Sequence, residues 1–412
     1  MSLLITNIKQ LVGTREETHL LRGKELLQLP SIENAYLIIE DDEIAEYGEM
    51  KDIKSVNNQR TTINASGQFI LPSWCDSHTH LVFAGSREEE FVDKIKGLSY
   101  SEINAKGGGI LNSAKKLNET SEDELFDQAW KRLEEVSKLG TGCIEIKSGY
   151  GLTLDGELKM LRIIKKLKEK SSLSIKSTFL AAHTYPLEFR ENHQGYIDII
   201  INQMLPIIAK EKLADYIDVF CEKGFFSVEE METICKAGMS YGLKSKLHVN
   251  QLNSIGGIQS GIKLNALSLD HLETMTDEDI LSLSRSNSIG TLLPTAAFFL
   301  RMPFQPARQL IDTGCAIALA SDYNPGSSPS GNMNFVISLS CVQMKMLPEE
   351  AINAATINSA YALGLENELG SITVGKKANL IFTKPIPSLA YLPYSFSTNC
   401  IDKIMIKGEF VS

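Results

Sequence analysis

From Phe69 onward the chain repeats one unit: a short apolar run ending on a polar residue, then an amphipathic stretch. The apolar runs end near His80, Lys147, His183, Glu222, Asn250, His271, Leu293 and Asp322. In Glu122–Val136, the residues Leu125, Phe126, Ala129, Leu133 and Val136 fall on one helical face, and Glu157–Leu167 shows the same period. Eight strand-then-helix units in about 250 residues predict an α/β protein built on a (β/α)8 TIM barrel. A doubly wound open sheet is the runner-up, but it usually has fewer strands.

The flanks read differently. Residues 1–70 alternate without a sustained helical period, with strands at Ala35–Glu40 and Glu43–Gly48 around an Asp41-Asp42 turn. Strand patterns return at Gly370–Gly375, Ala378–Phe382 and Ile401–Lys407. At 412 residues the chain exceeds one ordinary core. The expected organisation is a barrel over 71–364 and a small β-sandwich assembled from 1–70 and 365–412.

The first residues read as a strand and not as a signal peptide, and no apolar run reaches the ~20 residues that span a bilayer. Seven dispersed cysteines without a C-x-x-C pair read as reduced thiols of a cytoplasmic protein. The formal net charge of −10, with both signs interspersed, argues against nucleic-acid or anionic-membrane partners. A small-molecule substrate remains, and an anionic one would need local cations.

The histidines test the barrel. Of seven, five (His78, His80, His183, His248 and His271) fall at or beside the C-terminal ends of predicted barrel strands, where barrel active sites are built. His78 and His80 are two apart, so on a strand both rings project to one side. A lone His-x-His is as often structural. Joined by His248 at the end of strand five and Asp322 at the end of strand eight, it reads as a metal site of three imidazoles and one carboxylate. Such a set suits Zn²⁺ or Fe²⁺.

Asp76-Ser-His-Thr-His80 after an apolar strand, Ala320-Ser-Asp322, and the tail from Ala354 through Gly370–Phe382 resemble the amidohydrolase superfamily. Within it, His78–Phe91, Gly107–Ile110, Glu145–Leu152, Phe179–His183, Asp218–Gly224 and Ser321–Pro329 are similar to the imidazolonepropionase family. The resemblance covers residue 3 to the end. It implies hydrolysis of the ring amide of 4-imidazolone-5-propanoate to N-formimidoyl-L-glutamate, in histidine degradation. It also implies one bound divalent or ferric ion (zinc or iron) and a homodimer.

Carried over by position, the metal ligands are His78, His80, His248 and Asp322. Asp322 would also move the proton, His271 would stabilise charge on the carbonyl oxygen, and His183 would donate to the ring or carbonyl. The alternative for His183 and His271 is a supporting role behind the ligands. Arg87 would grip the propanoate bidentately; otherwise it is a surface partner of Glu88–Glu90. Tyr150, Asn324, Gly326 and Ser327 resemble further substrate contacts. Gln251, an amide that cannot act as a base, would hydrogen-bond the ring. Two departures from the family stand out: Val249-Asn250 replaces Ala-Asp, which could change how His248 is oriented, and Asn379 replaces Asp.

The main rival is a mononuclear-metal deaminase, which needs a glutamate where Gln251 stands. A two-metal cyclic amidase needs a lysine ending strand four, where Glu222 takes the inward position. A non-catalytic barrel would have lost a ligand, and none is lost. Gly107-Gly-Gly109 lacks the rest of a phosphate loop and no helix clearly starts on it, so it reads as a loop over the pocket mouth. Lys165–Lys170 reads as a solvated helix end, and His193 as a solvated loop residue.

Overall fold

A computed structural model describes residues 2–53, 60–98, 102 and 108–411. Eight parallel strands follow one another in strict order around the barrel: Trp74–Asp76, Thr141–Lys147, Ser174–Ala182, Tyr216–Cys221, Lys244–Val249, Ser268–His271, Ile289–Leu292 and Ile317–Leu319. They are called barrel strands one to eight below. Each predicted strand end lies within a few residues of an observed one.

Helices return the chain between strands and pack their apolar faces on the barrel. Glu122–Lys138 buries Leu125, Ala129, Leu133 and Val136, and Ser121 caps it by accepting from Glu124 N. Leu154–Lys170 is capped by Thr153, and Val228–Ser240 carries a full capping box between Ser227 and Glu230. Cluster burial runs from Val12 and Leu21 through the barrel to Ile406, so the N-terminal segment is sealed onto the barrel.

Strands one and eight share no ladder of their own. They meet just beyond their ends, where Asp322 N donates to His78 O (3.0 Å) and His80 N to Tyr323 O (2.9 Å), with Thr79 bridging Tyr323. Below that, the Asp76 carboxylate accepts from Ser321 N (3.0 Å) and Ser321 Oγ (2.5 Å). The barrel seam is therefore stitched by the same short segments that carry three of the expected metal ligands.

Both chain ends supply a second, mixed sheet of eight strands, with Ser2–Val12 between Ser31–Glu40 and Phe69–Pro72, and with Leu380–Thr383, Ile401–Ile406 and Glu409–Phe410 continuing it. Phe69–Pro72 pairs with Leu380–Thr383, so this sheet runs two residues past the expected division at residue 70. Gly370–Gly375 is not a strand. Gly370 and Gly375 both take φ of 86°, which turns the chain at each end and leaves one bridge, Ile372 to Thr14.

Among the described residues no helix is long and apolar enough to cross a membrane. All seven cysteines are free thiols.

Candidate active site

His78, His80, His183, His248, His271 and Asp322 are all brought to the C-terminal mouth of the barrel, and all are buried. His78 Nδ1 lies 2.7 Å from Asp270 Oδ2, and His248 Nδ1 lies 2.8 Å from Asp218 Oδ2. A carboxylate there accepts, so both rings carry their proton on Nδ1 and turn a bare Nε2 inward. His78 Nε2 stands 3.6 Å from Asp322 Oδ1, His80 Nε2 3.5 Å from the same oxygen, and His248 Nε2 3.4 Å from His80 Nε2.

Two of these atoms, His78 Nε2 and Asp322 Oδ1, are buried without a hydrogen-bond partner among the described residues. Converging lone pairs and an orphaned carboxylate oxygen in a dry site call for a cation. The ligand atoms of His78, His80 and Asp322 lie within 4.8 Å of one another, and so do those of His78, His248 and His271. The residues present thus fit a metal, and the four expected ligands span both triads. Burial holds the His78, His80 and His248 imidazoles well below their ordinary pKa, which keeps them neutral. The backbone is bent to make the site: Asn250, His271, Leu272 and Asp322 all have φ between 53° and 88°, a sparsely populated region for such residues.

Beside this cluster opens a cavity of about 450 Å³, lined by His80, Arg87, Tyr150, His183, His248, Gln251, His271, Asp322, Asn324, Gly326 and Ser327 among others. Every expected substrate contact lines it. Arg87 Nε donates to Ser113 Oγ (2.8 Å) and lies 4.0 Å from Glu90 Oε1, while Nη2 is buried with no hydrogen-bond partner among the described residues. Glu90 is meanwhile engaged by Gly109 N (3.0 Å) and Asn112 Nδ2 (3.4 Å). Arg87 is therefore not a surface ion pair; part of its fork is left for a ligand. Gly326 makes room for it, since a Cβ there would come within 2.3 Å of Arg87 Nη1.

Tyr150 sits in a glycine turn held from below by Glu157, which accepts from Gly149 N (3.1 Å), Gly151 N (2.7 Å) and Leu152 N (2.9 Å). Gly149 has φ of 109°, and a Cβ on Gly151 would meet Glu157 N at 2.3 Å, so both glycines are required. The ring of Tyr150 lies 5.4 Å from that of His183 and 5.8 Å from that of His80.

Some side chains differ in orientation from expectation. His183 Nδ1 lies 3.1 Å from Gly149 O. A carbonyl only accepts, so the ring donates there and its Nε2 is an acceptor, the reverse of the expected donor. Burial lowers its pKa to about 4, so it stays neutral. Asn324 lines the cavity and is also hydrogen-bonded within its loop: Oδ1 accepts from Gly326 N and Ser327 N (both 2.8 Å), and Nδ2 donates to Asp322 O (2.6 Å) and Ser327 Oγ (2.7 Å). Ser327 Oγ in turn donates to Asp322 Oδ2 (2.9 Å). These two residues hold Asp322.

Among the described residues the Asn250 side chain makes no hydrogen bond to His248. Its Nδ2 donates to Thr274 O (2.8 Å) and Asp279 Oδ2 (3.1 Å), because φ of 56° turns it away from the barrel axis. Glu222 leaves the inward position too: strand four ends at Cys221, and the carboxylate accepts from Leu252 N, Asn253 N and Asn253 Nδ2, holding the loop that carries Gln251. His193 is not a loop residue. It opens a helix capped by Asn192, stacks on Tyr185 at 3.7 Å and pairs with Glu230 at 3.0 Å. A helix, Ile110–Glu119, does start on Gly109, and Glu90 caps it from outside; Gly107 lies outside the described residues.

Missed from sequence are the carboxylates Asp218 and Asp270 that aim the imidazoles, and the charged layer beneath them. Lys147 Nζ lies 2.7 Å from Glu145 Oε1, 2.9 Å from Asp218 Oδ2 and 3.7 Å from Asp270 Oδ2, all fully buried. The Glu145-Ile-Lys147 alternation was the available signal.

The amidohydrolase family profile matches residues 69–411. An imidazolonepropionase of Flavobacterium johnsoniae is 58% identical over 412 residues, covering 100% of both chains. One of Christiangramia forsetii is 55% identical, also over 100% of both. Among solved structures, a guanine deaminase from C. acetobutylicum with bound guanine superposes with a TM-score of 0.72 at 17% identity, covering 100% of each chain, a likeness of fold.

Proposed function

The chain belongs to the amidohydrolase family, and from that membership we propose how its cavity carries out an imidazolonepropionase reaction. It is a hydrolase that opens the ring amide of 4-imidazolone-5-propanoate to give N-formimidoyl-L-glutamate, matching its full-length relatives. The observation that carries the assignment of the site is the pairing, across one cavity, of a cluster of possible metal ligands with an Arg87 fork whose buried Nη2 has no hydrogen-bond partner among the described residues.

The metal is held by His78, His80, His248 and Asp322, and zinc or iron suits that set. When bound, it supplies Lewis acidity to the ring carbonyl and to an attacking water. Arg87 takes the propanoate, with Tyr150 closing on the same side. His183 accepts a ring N–H through Nε2, which selects a ring that presents a donor there. Gln251, whose side chain makes no hydrogen bond to another described residue, reads the ring edge from the loop that Glu222 anchors.

Asp322 takes the proton from water and gives it to the departing nitrogen. Burial raises its pKa to about 6 before any cation is bound, a shift that favours a proton on the carboxylate and that a bound cation would oppose. His271 faces the developing oxyanion. Burial disfavours its charge, but Glu273 Oε1 at 3.3 Å and the other carboxylates outweigh this, and its pKa is raised. It is thereby suited to donate.

A glutamine at residue 251 leaves a deaminase without its proton-transfer carboxylate. The test is ultraviolet detection of imidazolone-propanoate consumption by metal-replete protein, with allantoin-like and pyrimidine rings as controls. Ring opening without ammonia is expected; ammonia release from a heterocycle, with the imidazolone untouched, would overturn the reading. A homodimer in the cytoplasm belongs to the same reading, and sedimentation checks the first part.

A further inference from the structure

We propose that Lys147 is a positioning residue for the metal site: one buried ammonium that sets two ligand imidazoles at once, through Asp218 and Asp270. Lys147, Asp218 and Asp270 come from barrel strands two, four and six. Alternate strands contribute the side chains of one interior layer, so these three meet directly under the mouth. The ammonium has three protons and three carboxylates around it, Glu145, Asp218 and Asp270. Asp218 Oδ2 and Asp270 Oδ2, the oxygens nearest Lys147, are the same oxygens that hold His248 Nδ1 and His78 Nδ1. Each carboxylate thus stands between the lysine and one ring. Asp218 is fixed further by accepting from His248 N at 3.0 Å.

Stability does not explain this arrangement. Removing ionic groups from water is costly, and apolar residues of similar volume in a barrel core are generally as stable or more so. What the charges provide is direction. An imidazole donating to a carboxylate is locked in one tautomer and one orientation, and its ligand nitrogen is made more basic. Without Lys147, Asp218 and Asp270 would lose their common cation and share a dry interior as two like charges, free to turn or to take up protons.

The layer contains its own control. Lys246, on strand five, is equally buried and also touches Glu145 (3.4 Å to Oε2), but its other contacts are Ala362 O at 2.9 Å and the face of the Tyr216 ring at 5.8 Å. Among the described residues it forms no ion pair with Asp218 or Asp270, and its charge reaches Asp218 only from a distance. Removing either lysine removes one buried positive charge; only one removal should reach the metal site.

The proposal rests on the four-ligand metal assignment, so the experiment first measures zinc and cobalt(II) affinity of the unaltered protein by chelator competition. Failure to bind either ion would sink that assignment as well as this one. K147M is then compared with K246M, following the visible absorption of the bound cobalt(II) and the unfolding of each metal-free protein. K147M should bind about 10–100-fold more weakly with an altered cobalt(II) spectrum, whereas K246M keeps the unaltered spectrum and an affinity within about threefold. Equal losses in both variants would make the lysines a shared structural charge and overturn the proposal; so would unchanged affinity and spectrum in K147M. If K147M does not fold, K147Q, which keeps a donor without the charge, takes its place under the same two outcomes.

Discussion

Two walls enclose the cavity, and they are built on different terms. The metal wall comes from the ends of barrel strands one, five, six and eight, where the expected ligands are buried and a second side chain orients His78, His248, His271 and Asp322. The opposite wall, with Arg87, Glu90 and Lys94, comes from the segment after strand one and from its helix Glu88–Ile95, which buries no residue fully. Lys94 Nζ donates to Gly326 O at 3.2 Å, and Phe91 stacks on Phe299 at 5.3 Å, so this wall leans on the loop after strand eight without being part of the barrel. In the proposed function, chemistry that fails with an ångström of error is assigned to strand ends, while recognition of a flexible propanoate is assigned to a more exposed segment.

Substitutions should separate the walls by which quantity they change. The largest effect is expected for Asp322→Asn on the metal wall, where turnover should fall on the order of 10³-fold. Near-normal turnover in single-turnover assays would remove its proton-transfer role. On the other wall, Arg87→Met should weaken substrate binding by about 100-fold, as expected when a buried charge loses its partner. Metal content by atomic absorption should stay unchanged, and a joint loss of metal and affinity would mean the walls are not separable.

Gly326→Ala crosses between them. Its added methyl would press on Arg87 Nη1, so KM should rise about tenfold with kcat held. A drop in kcat would instead place the damage on Asp322, two loop hydrogen bonds away. The smallest effect is expected for Gln251→Glu, about threefold in kcat/KM, the scale of one neutral hydrogen bond. Appearance of ammonia from a purine or pyrimidine ring in that variant would show that residue 251 divides ring opening from deamination.

The contrast also explains what could be read in advance. Strands buried on both faces write themselves as apolar runs, and the residues that converge at the barrel mouth sit where those runs stop, so His78, His80, His248, His271 and Asp322 are legible in the sequence. The charged layer was not, because Glu145-Ile-Lys147 has the alternation of a half-exposed strand; only barrel closure turns that polar face inward. Glu222 differs from the inward position expected of it because the strand ends at Cys221 and the chain there turns to hold the 251–253 loop. Asn324 and Ser327 line the cavity as the family pattern implies, but no linear pattern shows that they also brace Asp322, Asn324 through the backbone oxygen and Ser327 through Oδ2. Orientation of a side chain is decided by partners distant in sequence, such as Gly149 O for His183.

The seam between strands one and eight has a consequence for assembly. Elsewhere neighbouring strands are joined by ladders, but here the closing contacts are the short exchanges of His78, His80, Asp322 and Tyr323 and the grip of Asp76 on Ser321. An ion held by His78, His80 and Asp322 would act as a clasp, fastening the first stave to the last. Loading should therefore slow amide exchange at Ser77–His80 and Ser321–Asn324 more than anywhere else in the barrel, so that the cofactor closes the container in which it works.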